Sequence, residues 1–346
     1  MAGDRPAPTG APRIPETDLI LIATAYRLGD IQHVSYLTAG TMNHNWRLTT
    51  SIGDFALKRL LDVTPADARR SAEVLTALQQ RRLPVAPPAL TTSGDRVCQI
   101  EGRAYCLLPW IIGHHPTGAD LTREQVTDLG ALIGRIHQAL NGPATGLATT
   151  RPTPPTATVR PEAAIAEARR YQRAATSIGG PWDLAVAEAL EQRIALIDQH
   201  ATARPRDDPP RGPYGWTHGD IQPRNVLWRD GRIAAVIDWD RLRPRPYLLE
   251  VVRTATIQFA TAAHRLDLDR ISAFVRGYRS VVTLDESDLA DGVRRLWWTN
   301  LTDLWHLRHH YDRHNVRCDD LFLADARVLC WWTDHYPTVL TAFTRP

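Results

Sequence analysis

Three polar side chains between positions 214 and 240 have the types and the spacing to bind a divalent cation and to orient a hydroxyl group. Asp220 is followed five residues later by Asn225 and thirteen residues after that by Asp238. Carboxylate and carboxamide oxygens are the ligands that hard cations such as Mg2+ prefer. The carboxylate that the metal does not need is available to orient a hydroxyl. The set therefore predicts magnesium-assisted phosphoryl transfer.

A β-hairpin is the element that would bring these side chains together. Two short apolar runs, at 226–228 and 233–237, flank an Asp-Gly turn pair at 230–231. A hairpin folds its outer ends back beside each other, so Asn225 and Asp238 are expected at one rim, which the short preceding loop also reaches. The alternative is a surface hairpin in which Asp and Asn only form turns, as they commonly do. The joint order and spacing favour the functional interpretation.

The sequence motifs around these positions resemble those of a known family. A kinase catalytic loop and its metal-binding aspartate follow the same order. His-Gly-Asp at 218–220, Asn225, and Ile-Asp-Trp-Asp at 237–240 resemble the aminoglycoside phosphotransferase and homoserine kinase-like family. Protein kinases would carry Arg in place of Gly219 and a Phe-Gly pair after Asp238. No Ala-Pro-Glu motif and no long activation segment follow, which argues against a protein substrate.

The resemblance implies a fold and a set of roles. The fold is α+β, a two-lobed protein-kinase-like fold with a small antiparallel-sheet N-lobe and a larger, mostly helical C-lobe. Asp220 would be the base that contacts the acceptor hydroxyl, and Asn225 and Asp238 would hold Mg2+. His218 and Asp240 would support the loop. The phosphoryl donor would be ATP, with GTP as the open alternative.

Lys58 is the only lysine among the 41 basic Lys and Arg residues. An ammonium group fits as a point charge among phosphate oxygens, whereas a guanidinium is a wide planar fork. Strand alternation puts Lys58 on the face opposite Leu57, and the helix that follows carries Glu73. The kinase resemblance implies a Lys58–Glu73 ion pair that presents the lysine to the phosphates. The alternatives are a lysine retained by chance and a solvated Glu73.

Three further residues enter through the resemblance as nucleotide contacts. The loop around Gly40 would cover the phosphates, although with a single glycine it is also typical of a plain hairpin turn. The carbonyl of Pro109 would accept a hydrogen bond from the adenine amino group, and the amide of Ile111 would donate one to the ring. A buried edge strand that ends in a Pro-Trp turn is the alternative for this segment.

Changes of pattern along the chain predict its organisation. Residues 1–16 are expected to be a disordered tail, 17–112 the nucleotide-covering N-lobe, and 113–346 the C-lobe with the catalytic loop, the metal site and the acceptor-binding helices. The predicted strands run over 34–37, 45–50, 55–60 and 105–112, and the predicted helices over 17–28, 65–80, 122–140, 161–175, 182–200, 247–263, 268–279, 287–311 and 321–342.

Composition is that of a globular protein large enough for two lobes, with 346 residues, 43% hydrophobic and 23% charged. A net charge of +3 gives no reason to expect nucleic-acid binding. Four scattered cysteines without a Cys-x-x-Cys spacing favour the reducing cytoplasm over a disulfide or zinc scaffold. No signal-peptide pattern and no apolar run near the ~18 residues of a bilayer span occur, so we expect no membrane partner. The oligomeric state is left open.

The acceptor is the least determined part of the prediction. The family resemblance allows an aminoglycoside or other antibiotic, which would mean antibiotic resistance, or a sugar, and also homoserine or choline. Trp residues in the last helices favour a sugar-like acceptor, although Trp side chains at helical spacing more often belong to the hydrophobic core. His306, His310 and His314 at i, i+4 and i+8 allow a metal site, but a solvated or substrate-facing stripe is favoured. A catalytically inactive pseudokinase is the rival of a different class.

Overall fold

The computed structural model describes residues 12–38, 43–148 and 153–346. Its strands are β1 Ile31–Leu37, β2 His44–Thr50, β3 Gly53–Arg59, β4 Cys98–Ile100, β5 Arg103–Pro109, β6 Tyr214–Thr217, β7 Val226–Arg229, β8 Arg232–Val236 and β9 Arg243–Pro246. Its helices are α1 Glu16–Tyr26, α2 Pro65–Gln80, α3 Arg123–Leu140, α4 Pro161–Ile178, α5 Pro181–Gln199, α6 Tyr247–Gln258, α7 Leu268–Arg279, α8 Glu286–Thr302, α9 Trp305–Leu307, α10 Asp319–Asp334 and α11 Tyr336–Thr344.

The chain divides into two compact units. The first comprises the chain up to His115 together with Ala139–Ala148 and Arg224–Leu242, and the second comprises Pro116–Gln138, Thr149–Pro223 and Arg243–Pro346. The tail predicted over 1–16 lies outside the described residues as far as position 11, and its last residue begins α1. The predicted lobe boundary between 112 and 113 stays a prediction.

The first unit is built on a five-stranded antiparallel sheet in the order β1-β2-β3-β5-β4. Helix α1 and one face of the sheet share a core that includes Ile22, Trp46, Leu57 and Tyr105. The strands predicted over 34–37, 45–50 and 55–60 are confirmed with shifts of a few residues at their ends. The strand predicted over 105–112 ends at Pro109 instead.

The predicted hairpin forms from β7 and β8 in the same unit. Asp230 and Gly231 both have positive φ, 51° and 74°, which is the backbone of a type I′ turn and explains the Asp-Gly pair. Val226 pairs with Val236 across the hairpin. The amide of Val236 also donates to the carbonyl of Pro84 at 2.8 Å, and β7 is bridged to His114. These contacts fix the hairpin within the first unit.

The second unit is mostly helical, and it contains a small sheet of β6 and β9, of which β6 leads into the loop that contains Asp220. A capping box begins α3, since Thr122 and Gln125 exchange backbone and side-chain hydrogen bonds. The long helix predicted over 321–342 is broken into α10 and α11, because Pro337 begins a new helix. The helix predicted over 287–311 ends at Thr302, where Asp303 becomes extended.

Of the helices that the structure describes, none combines the length and the hydrophobicity that a bilayer span requires.

Candidate active site

Lys58 lies beside the hairpin rim in the first unit. Its Nζ is 2.8 Å from Oδ1 of Asp238 and 2.9 Å from Oδ2 of Asp240. Strand alternation explains its direction: Leu57 is fully buried in the core on one face of β3, and Lys58 projects from the other face. The side chain of Lys58 is only 15% exposed. The only lysine of the chain is therefore in direct contact with the predicted metal-binding aspartate.

The prediction of a Lys58–Glu73 ion pair is wrong, because Lys58 pairs with Asp238 and Asp240 instead. Glu73 is exposed on α2, and it makes no ion pair with any residue that the structure describes. The reason is the phase of the helix. Ala72, Val74 and Leu75 are buried beside it in the sequence, so Glu73 falls on the opposite, solvated face. The carboxylates that hold Lys58 come from the hairpin instead of the helix.

Asn43 is a site residue that the sequence analysis missed. Its Nδ2 donates to Oδ2 of Asp240 at 2.6 Å. Its Oδ1 accepts from the amides of Leu61 at 2.8 Å and Asp62 at 3.3 Å. Asn43 is buried, so these bonds satisfy a polar group that would otherwise cost free energy. It ties Asp240 to the segment between β3 and α2. An asparagine directly before β2 was the available signal.

The charges of this cluster stabilise one another. Burial opposes the charge of Lys58, but the carboxylates of Asp240 and Asp238 outweigh it and raise the pKa of the lysine above its ordinary value. Burial and the neighbouring Asp238 raise the pKa of Asp240, although Lys58 acts in the opposite direction. Lys58 is therefore an ammonium ion throughout the physiological pH range.

Asn225 and Asp238 meet at the hairpin rim as the sequence predicts. The amide of Ile237 donates to the carbonyl of Asn225 at 2.9 Å. Asp238, the next residue, therefore follows directly after the residue that is paired with Asn225. Asn225 is buried. Asp238 has φ 65° and ψ 64°, a left-handed conformation that few non-glycine residues adopt, and its side chain is 45% exposed. This strained backbone turns the carboxylate out of the strand direction at the rim.

The donor set fits a hard cation. Asp238 has a half-exposed carboxylate that already contacts one cation, the Lys58 ammonium. Asn225 has a carboxamide oxygen, which is the other type of ligand that hard cations prefer. Within the described ranges, no cluster of three or more His, Cys, Asp or Glu residues has the arrangement of a metal site. An ion here would therefore take other ligands as well, as Mg2+ does when it keeps waters and binds phosphate oxygens.

The loop that contains Asp220 belongs to the second unit and is held through its backbone. The amides of His218 and Gly219 both donate to the carboxylate of Glu250 on α6, the first at 3.3 Å. Gly219 has φ 86°, a conformation that favours glycine and explains its presence. His218 is fully buried, and its Nδ1 accepts from the amide of Asp220 at 3.2 Å. His218 is therefore buried and hydrogen-bonded within the loop, and the supporting role that the resemblance implies stays a prediction.

Glu250 itself is held by a buried network that the sequence analysis did not identify. Nε2 of His137 lies 2.6 Å from Oε2 of Glu250, and Nδ1 of His137 lies 2.8 Å from the hydroxyl of Tyr278. Burial opposes the charge of Glu250, but its hydrogen bond to His137 prevails and lowers the pKa of the carboxyl. His137 is fully buried and acts through its hydrogen bonds. An acid inside the apolar run of α6 was the signal for Glu250.

The carboxylate of Asp220 is oriented by two neighbours. Nη2 of Arg253 lies 2.8 Å from Oδ1, and Nε2 of Gln222 donates to Oδ2 at 2.9 Å. The carboxylate is partly accessible, since its side chain is 21% exposed. An ion pair at one oxygen and a hydrogen bond at the other restrict the orientation of the carboxylate.

The remaining predicted residues have mixed outcomes. Gly40 lies outside the described residues. Pro109 is the exposed last residue of β5, and the amide of Ile111 makes no hydrogen bond to a described residue, so the latter is available to a ligand. In the histidine stripe, two of the three rings lie beside carboxylates, and no group of three or more potential metal ligands forms among the described residues. His306 lies 3.3 Å from Asp325, and His310 lies 2.8 Å from Asp319.

Comparison with known proteins identifies the family. The profile of the phosphotransferase enzyme family, APH, matches residues 33–284, well over half of the chain. The chain belongs to this family. It is therefore a small-molecule kinase, and the match includes both Lys58 and the 218–240 stretch.

Relatives of this phosphotransferase include homoserine kinases. That of Methylobacillus flagellatus is 20% identical over 292 residues, which cover 81% of this chain and 82% of the relative. That of Pseudomonas aeruginosa, strain UCBPP-PA14, is 25% identical over 253 residues, 73% of each chain.

Solved structures of kinases share the fold. An amicoumacin kinase in complex with AMP-PNP, Ca2+ and Ami has a TM-score of 0.60 at 20% identity and covers 91% of this chain and 92% of its own. A spectinomycin phosphotransferase in complex with ADP and spectinomycin has a TM-score of 0.59 at 16% identity, with coverages of 96% and 98%. The predicted two-lobed protein-kinase-like α+β fold is confirmed.

Proposed function

We propose that this phosphotransferase moves the γ-phosphoryl group of ATP to a hydroxyl group of a small molecule. The observation that carries the proposal is the contact between Lys58 and Asp238 at 2.8 Å, because the two residues are 180 positions apart in the chain. A cation for phosphate oxygens and a carboxylate for a metal ion are thereby brought together in one unit. This combination is what transfer of a triphosphate's terminal group needs.

Each residue of the site has a role in this chemistry. Lys58 would bind phosphate oxygens, and Asp240 and Asn43 would keep its ammonium in place. Asn225 and Asp238 would hold Mg2+, which when bound neutralises charge on the phosphates. Asp220 would accept the proton of the acceptor hydroxyl. Positioning and charge neutralisation carry most of the rate enhancement in this class of reaction.

The acceptor is proposed as a class rather than as a compound. Structural neighbours include kinases of the antibiotics amicoumacin and spectinomycin, which supports the predicted antibiotic or sugar-like acceptor. The relatives with the name homoserine kinase support the alternative, a small hydroxy metabolite. Both classes present an alcohol to the base, so the residues of the phosphoryl-transfer site serve either one.

The test is ATP consumption by the purified protein with Mg2+ against a panel of hydroxyl compounds that contains aminoglycosides, spectinomycin, sugars, homoserine and choline. Transfer to at least one compound is expected, together with thermal stabilisation by ATP that depends on Mg2+. Asp220→Ala should abolish transfer and keep that stabilisation, whereas Lys58→Ala should weaken both.

The rival hypothesis, a pseudokinase that only binds a nucleotide, gives a different result in the same assay. It predicts ATP-dependent stabilisation without turnover of any acceptor. Transfer that survives Asp220→Ala would refute the assignment of the base.

A further inference from the structure

Helix α6 presents one polar face to the loop that carries Asp220. Glu250, Arg253 and Thr254 are spaced at i, i+3 and i+4, so they lie on the same side of the helix. Glu250 accepts two loop amides, and Oγ1 of Thr254 donates to the carbonyl of Ile221 at 3.2 Å. Arg253 reaches the carboxylate of Asp220 between them, at 2.8 Å. One turn of helix thus holds four consecutive loop residues.

Arg253 differs from the other two residues because it has donors to spare. Glu250 and Thr254 are buried, and their contacts are with the protein. The side chain of Arg253 is 36% exposed, and its one described ion pair uses one nitrogen of a guanidinium that carries five N–H donors. The donors that do not face Asp220 have no partner among the residues that the structure describes. They lie directly beside the base.

We propose that Arg253 determines acceptor specificity by binding a carboxylate of the acceptor next to the hydroxyl that Asp220 orients. The inference rests on the proposed function, since it takes Asp220 as the base. A guanidinium can bind the Asp220 carboxylate along one edge and a second carboxylate along another, because its five donors point in fixed directions of one plane. The acceptor class is then a small hydroxy acid, including hydroxy amino acids.

A second guanidinium that contacts the same loop supports a hydroxy-acid acceptor. Nη1 of Arg245 donates to the carbonyl of Gly219 at 3.3 Å, so cations border the loop from both β9 and α6. A polycationic acceptor would meet the edge of the Arg253 guanidinium that does not face Asp220, and this edge presents only N–H donors, which suit an anion and disfavour a cation. Arg253 therefore favours anionic acceptors and disfavours aminoglycosides.

The test uses pairs of acceptors that differ in a carboxylate: L-homoserine against 3-aminopropan-1-ol, and D-gluconate against D-sorbitol, with kanamycin as a polycation. The wild type is expected to have the higher kcat/KM for the carboxylated member of a pair. Arg253→Gln should reduce that preference about 10- to 150-fold, the range of one charge-assisted hydrogen bond. Arg253→Lys should retain part of it, because the charge remains while the planar fork is lost.

The matched control is Arg276→Gln, which removes an exposed arginine on α7 that has no described ion pair. It should leave the preference unchanged. Transfer without a carboxylate preference in the wild type, or an equal loss with every acceptor in Arg253→Gln, would overturn this inference and leave the kinase assignment intact. If Arg253→Gln does not fold, an unchanged preference in Arg253→Lys overturns it instead. Absence of transfer to every compound would overturn the proposed function, and this inference with it.

Discussion

The clearest prediction concerns the carboxylate that holds Lys58. Asp240→Asn keeps the size of the side chain and removes its charge, while Asn43 still has an oxygen to bond. Lys58 then loses one of its two charge-assisted hydrogen bonds, the one of 2.9 Å to Asp240. Such a bond contributes about 1.5–3 kcal/mol, and at about 1.4 kcal/mol per tenfold this weakens ATP binding by roughly 10- to 150-fold. The range applies because Lys58 and Asp240 are only 15% and 20% exposed.

The assay is a titration of ATP with Mg2+ that gives a dissociation constant from thermal stabilisation and a KM from turnover. Glu73→Gln is the control, because it changes the residue that a kinase lysine ordinarily pairs with but that is solvated here. It should change ATP affinity less than twofold, as exposed charges do when they have no partner. An affinity loss in Glu73→Gln that equals the loss in Asp240→Asn would refute the reasoning.

Three further changes test other parts of the molecule. Glu250→Gln should lower the free energy of unfolding by about 2–3 kcal/mol in urea titrations, because a buried acceptor of His137 loses its charge; an unchanged midpoint would contradict this. Gly219→Ala should cost about 1–2 kcal/mol, since φ is 86° there, and should reduce kcat more than it shifts Tm. The pKa of Asp18 is lowered mainly by its hydrogen bond to Arg103, so its stabilising effect is present above the unfolded pKa of about 3.9 and is lost as pH falls through the lower folded pKa. Asp18→Asn should therefore be less stable than the wild type near neutral pH, with a difference that shrinks at acidic pH; a difference independent of pH would be the contrary result.

The parts of the site that the sequence predicts are those that local physics determines. The Asp-Gly pair at 230–231 requires positive φ at both positions, and a hairpin then necessarily places Asn225 beside Asp238. Strand alternation likewise determines the side of the sheet to which Lys58 points. These steps need no knowledge of distant residues, and each is confirmed.

The parts that were missed or wrong depend on packing between distant segments. The partner of Lys58 was taken from a helix by resemblance, but the phase of α2 turns Glu73 to solvent, and only the position of the hairpin reveals Asp240. The break after Thr302 has a similar origin, since Asp303 leaves the helix and pairs with Arg308. A propensity pattern does not contain such contacts.

Helix α6 nevertheless carries a signal that sequence reasoning can use. Glu250 lies within the apolar run Leu248–Val252, where a carboxylate has to be buried, and a buried charge requires partners. The face of α6 that carries Glu250 must therefore contact partner groups. Arg253 and Thr254 lie on the same face, because they are three and four residues further along the helix. The loop that this face meets is the one with Gly219, whose amide donates to Glu250. The spacing of α6 therefore puts Arg253 on the helix face that contacts the Asp220 loop, and under the proposed function this arginine selects the charge of the acceptor.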